Sequence, residues 1–98
     1  MKNRIVNVAV QVLPSSTEHD AYHLVDAAID IIARSGLKHE VCPFETVVEG
    51  PYADVMQLVE QVQEACYGSG ADSLICNLKI QSKADGDVSI EDKVGKYR

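Results

Sequence analysis

Basic residues are scarce in this chain of 98 residues, where 9 Lys and Arg stand against 15 Asp and Glu for a net charge of -6. Lys93, Lys96 and Arg98 form the densest basic group. Phosphate-backbone binding is driven by Lys/Arg clusters, so the charge argues against a nucleic-acid partner. Cysteines number only three, Cys42, Cys66 and Cys76, with no CxxC pair. The odd count argues against a disulfide framework or a structural zinc site. All three lie among apolar neighbours, which predicts buried free thiols, Cys42 included, in a reducing cytoplasm. No apolar run approaches the roughly 18 residues of a membrane span. The opening Met1-Lys2-Asn3-Arg4 leads into a stretch too polar, with Asn7 and Gln11, for a secretory leader. A glycine-rich phosphate loop is missing too, because Gly68-Ser69-Gly70 follows a helix, the wrong context for a nucleotide turn.

Proline is also sparse, and each of the three marks a boundary. Before Pro14, residues 4–13 alternate. Val6, Val8, Val10 and Val12 take one face, and Ile5, Asn7, Ala9, Gln11 and Leu13 the other. Period two with β-branched residues predicts a strand with one dry face, ended by Pro14. Ser15 and Glu18 have capping-box spacing, and Ala21, Leu24, Val25, Ala28, Ile29 and Ile32 recur at three and four. A helix over about 17–35 follows, stopped by Gly36. Pro43 is the reversal point of a hairpin whose strands are residues 39–42 and 44–49. Pro51 then sits at the first position of a second helix, running to about Tyr67. Val55, Leu58, Val59, Val62 and Cys66 are its inner stripe. Residues 72–82 alternate again, with Leu74, Cys76, Leu78 and Ile80 inward. Ser89-Ile90-Glu91-Asp92 caps a short last helix to about Lys96.

The length and the 46% hydrophobic content suit one domain over residues 1–98. The order βαββαβ plus a C-terminal helix predicts an α+β ferredoxin-like plait, with both helices on one face of a four-stranded antiparallel sheet. That arrangement leaves the second sheet face uncovered. Its residues mix aliphatics (Ile5, Ala9, Leu13, Ile75) with neutral amides (Asn7, Gln11, Asn77, Gln81). Such a surface suits burial against a second copy or around a polar ligand.

Candidate chemistry is thin. His19 and His23 have metal-ligand spacing, but Asp20 follows where a zinc protease carries Glu, and no third ligand is identifiable, so no metal site is predicted. His39 and Cys42 point to opposite strand faces and cannot form a nucleophile pair. No catalytic residues are assigned, and no cofactor is expected. Glu45 and Glu49 share one strand face, Phe44 and Thr46 the other. Glu49 precedes a helix N-terminus, so two readings stand: an anion complementing the helix dipole, or an acceptor for a cationic or amine-bearing ligand.

Several marks carry a family resemblance across nearly the whole chain. They are Val12-Leu13-Pro14, Ser35-Gly36-Leu37-Lys38, Cys42-Pro43-Phe44-Glu45-Thr46-Val47-Val48-Glu49-Gly50, Asp54-Val55-Met56, Asn77-Leu78-Lys79-Ile80 and Ile90-Glu91-Asp92-Lys93-Val94. Together they resemble the small thiamine-binding protein family, whose members are related to the thiamine/hydroxymethylpyrimidine-binding protein of bacilli. The resemblance implies a ferredoxin-like fold and homodimers or homotetramers built by sheet contacts. It also implies binding of thiamine or its pyrimidine moiety without catalysis, as a carrier, buffer or sensor. Thr46, Glu49, Phe44, Asn77, Gln11 and Pro43 are the ligand-binding residues expected on this basis. The chain departs from the family's pattern at Cys42 and Phe44, where Gly and Met are frequent, and at Gln11 and Asn77, where smaller hydroxyl residues are. A structural oligomer without a small-molecule ligand and a small enzyme on the same plait are the competing readings.

Overall fold

The computed structural model describes residues 1–98. In chain order it holds β1 (Ile5–Ser15), α1 (Ala21–Arg34), β2 (Lys38–Val41), β3 (Thr46–Pro51), α2 (Tyr52–Gly68), β4 (Ser73–Gln81) and α3 (Ile90–Val94). A single 3-10 turn, Gly95–Tyr97, closes the chain. The four strands form one antiparallel sheet in the order β2-β3-β1-β4. This is the ferredoxin-like plait that the element order predicts.

The alternation in β1 builds the core. Val6, Val8 and Val10 point to the helices, with Val48 beside them from β3. Ala28 and Ile32 of α1 and Val55, Leu58, Val59, Val62 and Cys66 of α2 pack on this layer. Each fully buried aliphatic side chain contributes about 1.5–3 kcal/mol relative to exposure. Leu74, Cys76 and Leu78 extend the layer from β4. Ile80, expected inward, is 46% exposed near the end of this edge strand.

Pro14 does not end β1, which continues to Ser15 and pairs Pro14 with Leu74. The hydrogen-bond directions explain this. Ile5 and Ser15 turn their carbonyls to the β4 side, accepting from Val88 and Asp72, whereas Arg4 accepts from Tyr52 on the β3 side. Even-numbered residues of β1 therefore face β3. Pairing with β3 stops at Val10 and Thr46. The nitrogen of Pro14 thus faces an edge with no neighbouring strand, where a missing N–H costs nothing.

The start of α1 also differs from the Ser15–Glu18 expectation. Ser15 is held in the sheet, opposite Ser73. The Ser16 hydroxyl donates to the Gly70 carbonyl and accepts from the Glu18 and His19 amides, forming a turn instead. Asp20 is the N-cap, its carboxylate accepting from the Tyr22 amide at 2.8 Å. Pro51 ends β3 and precedes α2 as its cap residue, one position earlier than expected. Gly70, which follows α2, has φ +114, a conformation that L side chains rarely adopt.

Two expectations about burial are corrected. Cys42 is exposed at the hairpin turn, not a core thiol; only Cys66 is fully buried. The turn closes through the Cys42 amide donating to the Glu45 carbonyl, which leaves residues 42–45 outside the helix layer. The second sheet face is also not bare throughout. The segment after β4 folds back over one end of it, burying Val88 and Ile90 to 2% and 5% exposure.

Candidate functional site

The Glu49 carboxylate is the central fastening of the returning C-terminal segment. Oε1 of Glu49 accepts from the Ile90 amide at 2.6 Å and from Asn7 Nδ2 at 3.2 Å. Asn7 Nδ2 also donates to the Val88 carbonyl. Further along, Lys93 Nζ donates to Gln81 Oε1, and Arg98 pairs with Glu40. The Ile5 amide donates to Asp87 Oδ1 and the Val88 amide to the Ile5 carbonyl, so the segment is also tied to the start of β1. Glu49 does meet a helix N-terminus, but it is that of α3 rather than of α2, which follows it in sequence.

Beyond this strap the second face stays open, and a cleft of about 380 Å³ lies on it. Gln11, Asn77 and Lys79 rise from β1 and β4, and Cys42, Pro43, Phe44 and Glu45 come from the hairpin turn. The volume is within the range of about 300–1,000 Å³ typical of small-molecule sites. Asn77 Nδ2 donates to Gln11 Oε1 at 3.1 Å, which fixes an amide pair across the two strands. This leaves the Asn77 carbonyl and the Gln11 amino group available to a ligand. Lys79 Nζ lies 3.5 Å from Glu45 Oε1 across the small Ala9, and this ion pair is shared with a neighbouring groove that runs toward Lys93. The Phe44 ring is 82% exposed at the cleft rim.

A second, smaller hollow of about 90 Å³ lies on the helix side of the sheet. It shares Gln11 and residues 42–45 with the cleft and is closed by Val10, Val12, Thr46 and the α1 residues Val25, Ala28, Ile29 and Ile32. The two spaces therefore flank the same gap, between the hairpin turn and the free edge of β1 beyond Val10.

Four of the expected ligand residues, Gln11, Asn77, Pro43 and Phe44, meet at the cleft. Thr46 is 5% exposed and lines the smaller hollow instead, beneath the turn. Glu49 lies apart from both, at the strap. Lys79 and Cys42 line the cleft without having been singled out as ligand residues. Lys79 was findable, since alternation puts it on the face of Asn77; Cys42 was masked by its apolar neighbours. His19 and His23 stack at 5.8 Å, and no third His, Cys, Asp or Glu joins them. Burial pushes the Cys66 thiol above its ordinary range, aided by nearby Cys76, and burial does the same for Cys76.

Fold and cleft together define a small α+β plait with an open cleft on its second sheet face. Residues 8–98 match the thiamine-binding protein family, and the chain belongs to it. A UPF0045 protein of Clostridium perfringens is 42% identical over 92 residues, covering 94% of this chain and 96% of that protein. Among solved structures, a domain of unknown function from Bacillus cereus superposes with a TM-score of 0.93 at 35% identity, covering 97% of this chain and 91% of that one. A Thermotoga maritima protein provisionally assigned to thiamine biosynthesis or salvage gives 0.86 at 34% identity, covering 96% and 99%. No helix is long and apolar enough to cross a membrane.

Proposed function

We propose that the protein binds thiamine or its hydroxymethylpyrimidine moiety without catalysis, as a cytoplasmic carrier, buffer or sensor. The observation that carries this reading is the cleft in which an amide pair, a carboxylate and an aromatic ring converge. Glu45 offers a thiazolium cation a carboxylate for which it competes with Lys79. Gln11 and Asn77 add hydrogen-bond donors and acceptors for the ligand on one wall of the cleft. Phe44 offers a ring face at the rim, worth about 1 kcal/mol beyond its area in a stacked pair. Thr46 lies one layer deeper, in the adjoining hollow. Glu49 contributes by holding the strap that bounds the open face.

The working unit in this proposal is a homodimer or homotetramer joined through the open sheet face. Leu13 and Ile75 are partners in register there, 46% and 62% exposed. Apolar side chains of this size gain by burial against a second copy. The same pair supports the competing reading, a module that only self-associates.

Calorimetric titration of ligand-stripped protein with thiamine, then with hydroxymethylpyrimidine, separates the two. Saturable binding with Kd on the order of 1 μM or tighter, about -8 kcal/mol, weakened by Asn77→Ala, is expected. No heat with either compound at several temperatures would leave the self-associating module.

A further inference from the structure

The hydrogen-bond directions in β1 leave one main-chain pair without a partner. Val12 is even-numbered, so its N–H and C=O point away from β4, toward the side that β3 occupies as far as Val10. The β1–β3 ladder ends at Val10 and Thr46, and no turn or loop hydrogen bond reaches Val12. The residue that would continue the ladder opposite Val12 is Phe44, which the hairpin turn carries out to 82% exposure. Val12 itself lines the hollow of about 90 Å³ under that turn. Thr46, 5% exposed, brings a side-chain hydroxyl to the same space. Gln11 and Glu45 stand where the hollow meets the cleft, and the rest of its lining is mainly aliphatic.

We propose that the Val12 N–H and C=O read the donor–acceptor edge of a planar amino-substituted nitrogen heterocycle inserted through this gap. The inference rests on the binding function proposed above and assigns its pyrimidine subsite. In a closely spaced antiparallel pair, one residue donates and accepts at once with the residue opposite. An amino group beside a ring nitrogen presents the same pattern on one flat edge: the ring nitrogen accepts from the Val12 N–H, and the amino group donates to the Val12 C=O. The ring completes the ladder where the chain turns away. A peptide strand is a poorer occupant, because Pro14, next on the same edge, has no N–H to continue the pairing. The overhanging turn also limits the gap to roughly one residue of ladder. The Thr46 hydroxyl can donate or accept as the ring requires. The charged or larger remainder of the ligand then lies in the cleft beside Glu45 and the amide pair, which explains why the two spaces share residues 42–45.

The test uses hydroxymethylpyrimidine, its analogue in which hydrogen replaces the amino group, and the full chain labelled with nitrogen-15. Binding is expected to move the Val12 amide resonance downfield and slow its exchange with solvent. The deaminated analogue is expected to bind roughly tenfold more weakly or worse, the effect of losing one well-formed hydrogen bond in a dry site. Val12→Pro removes the donor at an edge that already tolerates Pro14, and a similar loss is expected. If Val12→Pro does not fold, the amide resonance and the analogue pair on the native chain decide. Tight binding with an unmoved Val12 amide, or equal affinity for the two compounds, overturns the subsite and leaves the function standing. No binding of hydroxymethylpyrimidine at all overturns both.

Discussion

Replacing Glu49 by Ala is expected to undock the C-terminal strap and lower stability by about 2–3 kcal/mol. The Ile90 amide and Asn7 Nδ2 both lose a charged acceptor, and hydrogen bonds to charged groups contribute about 1.5–3 kcal/mol each. Asn7 is 3% exposed, and its Oδ1 already has no partner, so the amide cannot exchange its lost bond for water while the strap stays down. The strap can lift instead, which caps the cost near that of exposing Val88 and Ile90, about 1.5–3 kcal/mol apiece and partly retained through Asp87. The Lys38 contact at 3.9 Å adds little, since Lys38 is half exposed. At roughly 4–8 °C per kcal/mol for a chain of this size, the melting temperature should fall by roughly 8–24 °C. Glu49→Gln keeps an acceptor without the charge and should lose about half as much. Urea denaturation measures the loss, and amide hydrogen exchange at Val88 and Ile90 locates it. Native stability with unchanged exchange at Ile90 would refute the clamp. If thiamine affinity fell at the same time, Glu49 would be a ligand contact instead.

Four further outcomes follow from the same structure. Gly70→Ala should cost about 1–3 kcal/mol in a thermal melt, because φ there is +114 and a Cβ would overlap the His19 ring; adding His19→Ala should recover only the contact part. Phe44→Ala should leave stability within about 0.5 kcal/mol, since the ring is 82% exposed, yet weaken thiamine binding several-fold by titration. Thiol labelling in the native state should modify Cys42 first and Cys66 last. The folded chain holds the Cys66 and Cys76 protons more tightly than the unfolded chain, so their contribution is intact below the ordinary thiol range and fades as pH rises through the folded values. Stability should therefore decline above about pH 8.5, and Cys66→Ser should flatten that decline.

The elements were legible because their causes are local. Alternating valines at 6, 8, 10 and 12 make a strand wherever they fall, and the three-four spacing from Ala21 to Ile32 makes a helix face. Two such halves around a hairpin leave few topologies open, and the plait follows. The faces of the hairpin were also readable, since period two separates Thr46 from Glu45 and Glu49. Boundaries were less so. Ser15 had the spacing of a cap, but its pairing with Ser73 held it in the sheet and passed the cap to Asp20.

The composition and periodicity of the chain thus determined the secondary structure, the plait and the amide-bearing second face, because these depend on neighbours a few residues away. Tertiary structure alone decided what each functional side chain meets. Glu49 and Ile90 lie 41 residues apart, and no sequence pattern announces that the last segment will fold back to join them. The gap beside Val12 exists because one strand ends at Thr46 while its neighbour runs on to Ser15. A free main-chain edge has no residue type of its own, so no side chain in the sequence could mark it.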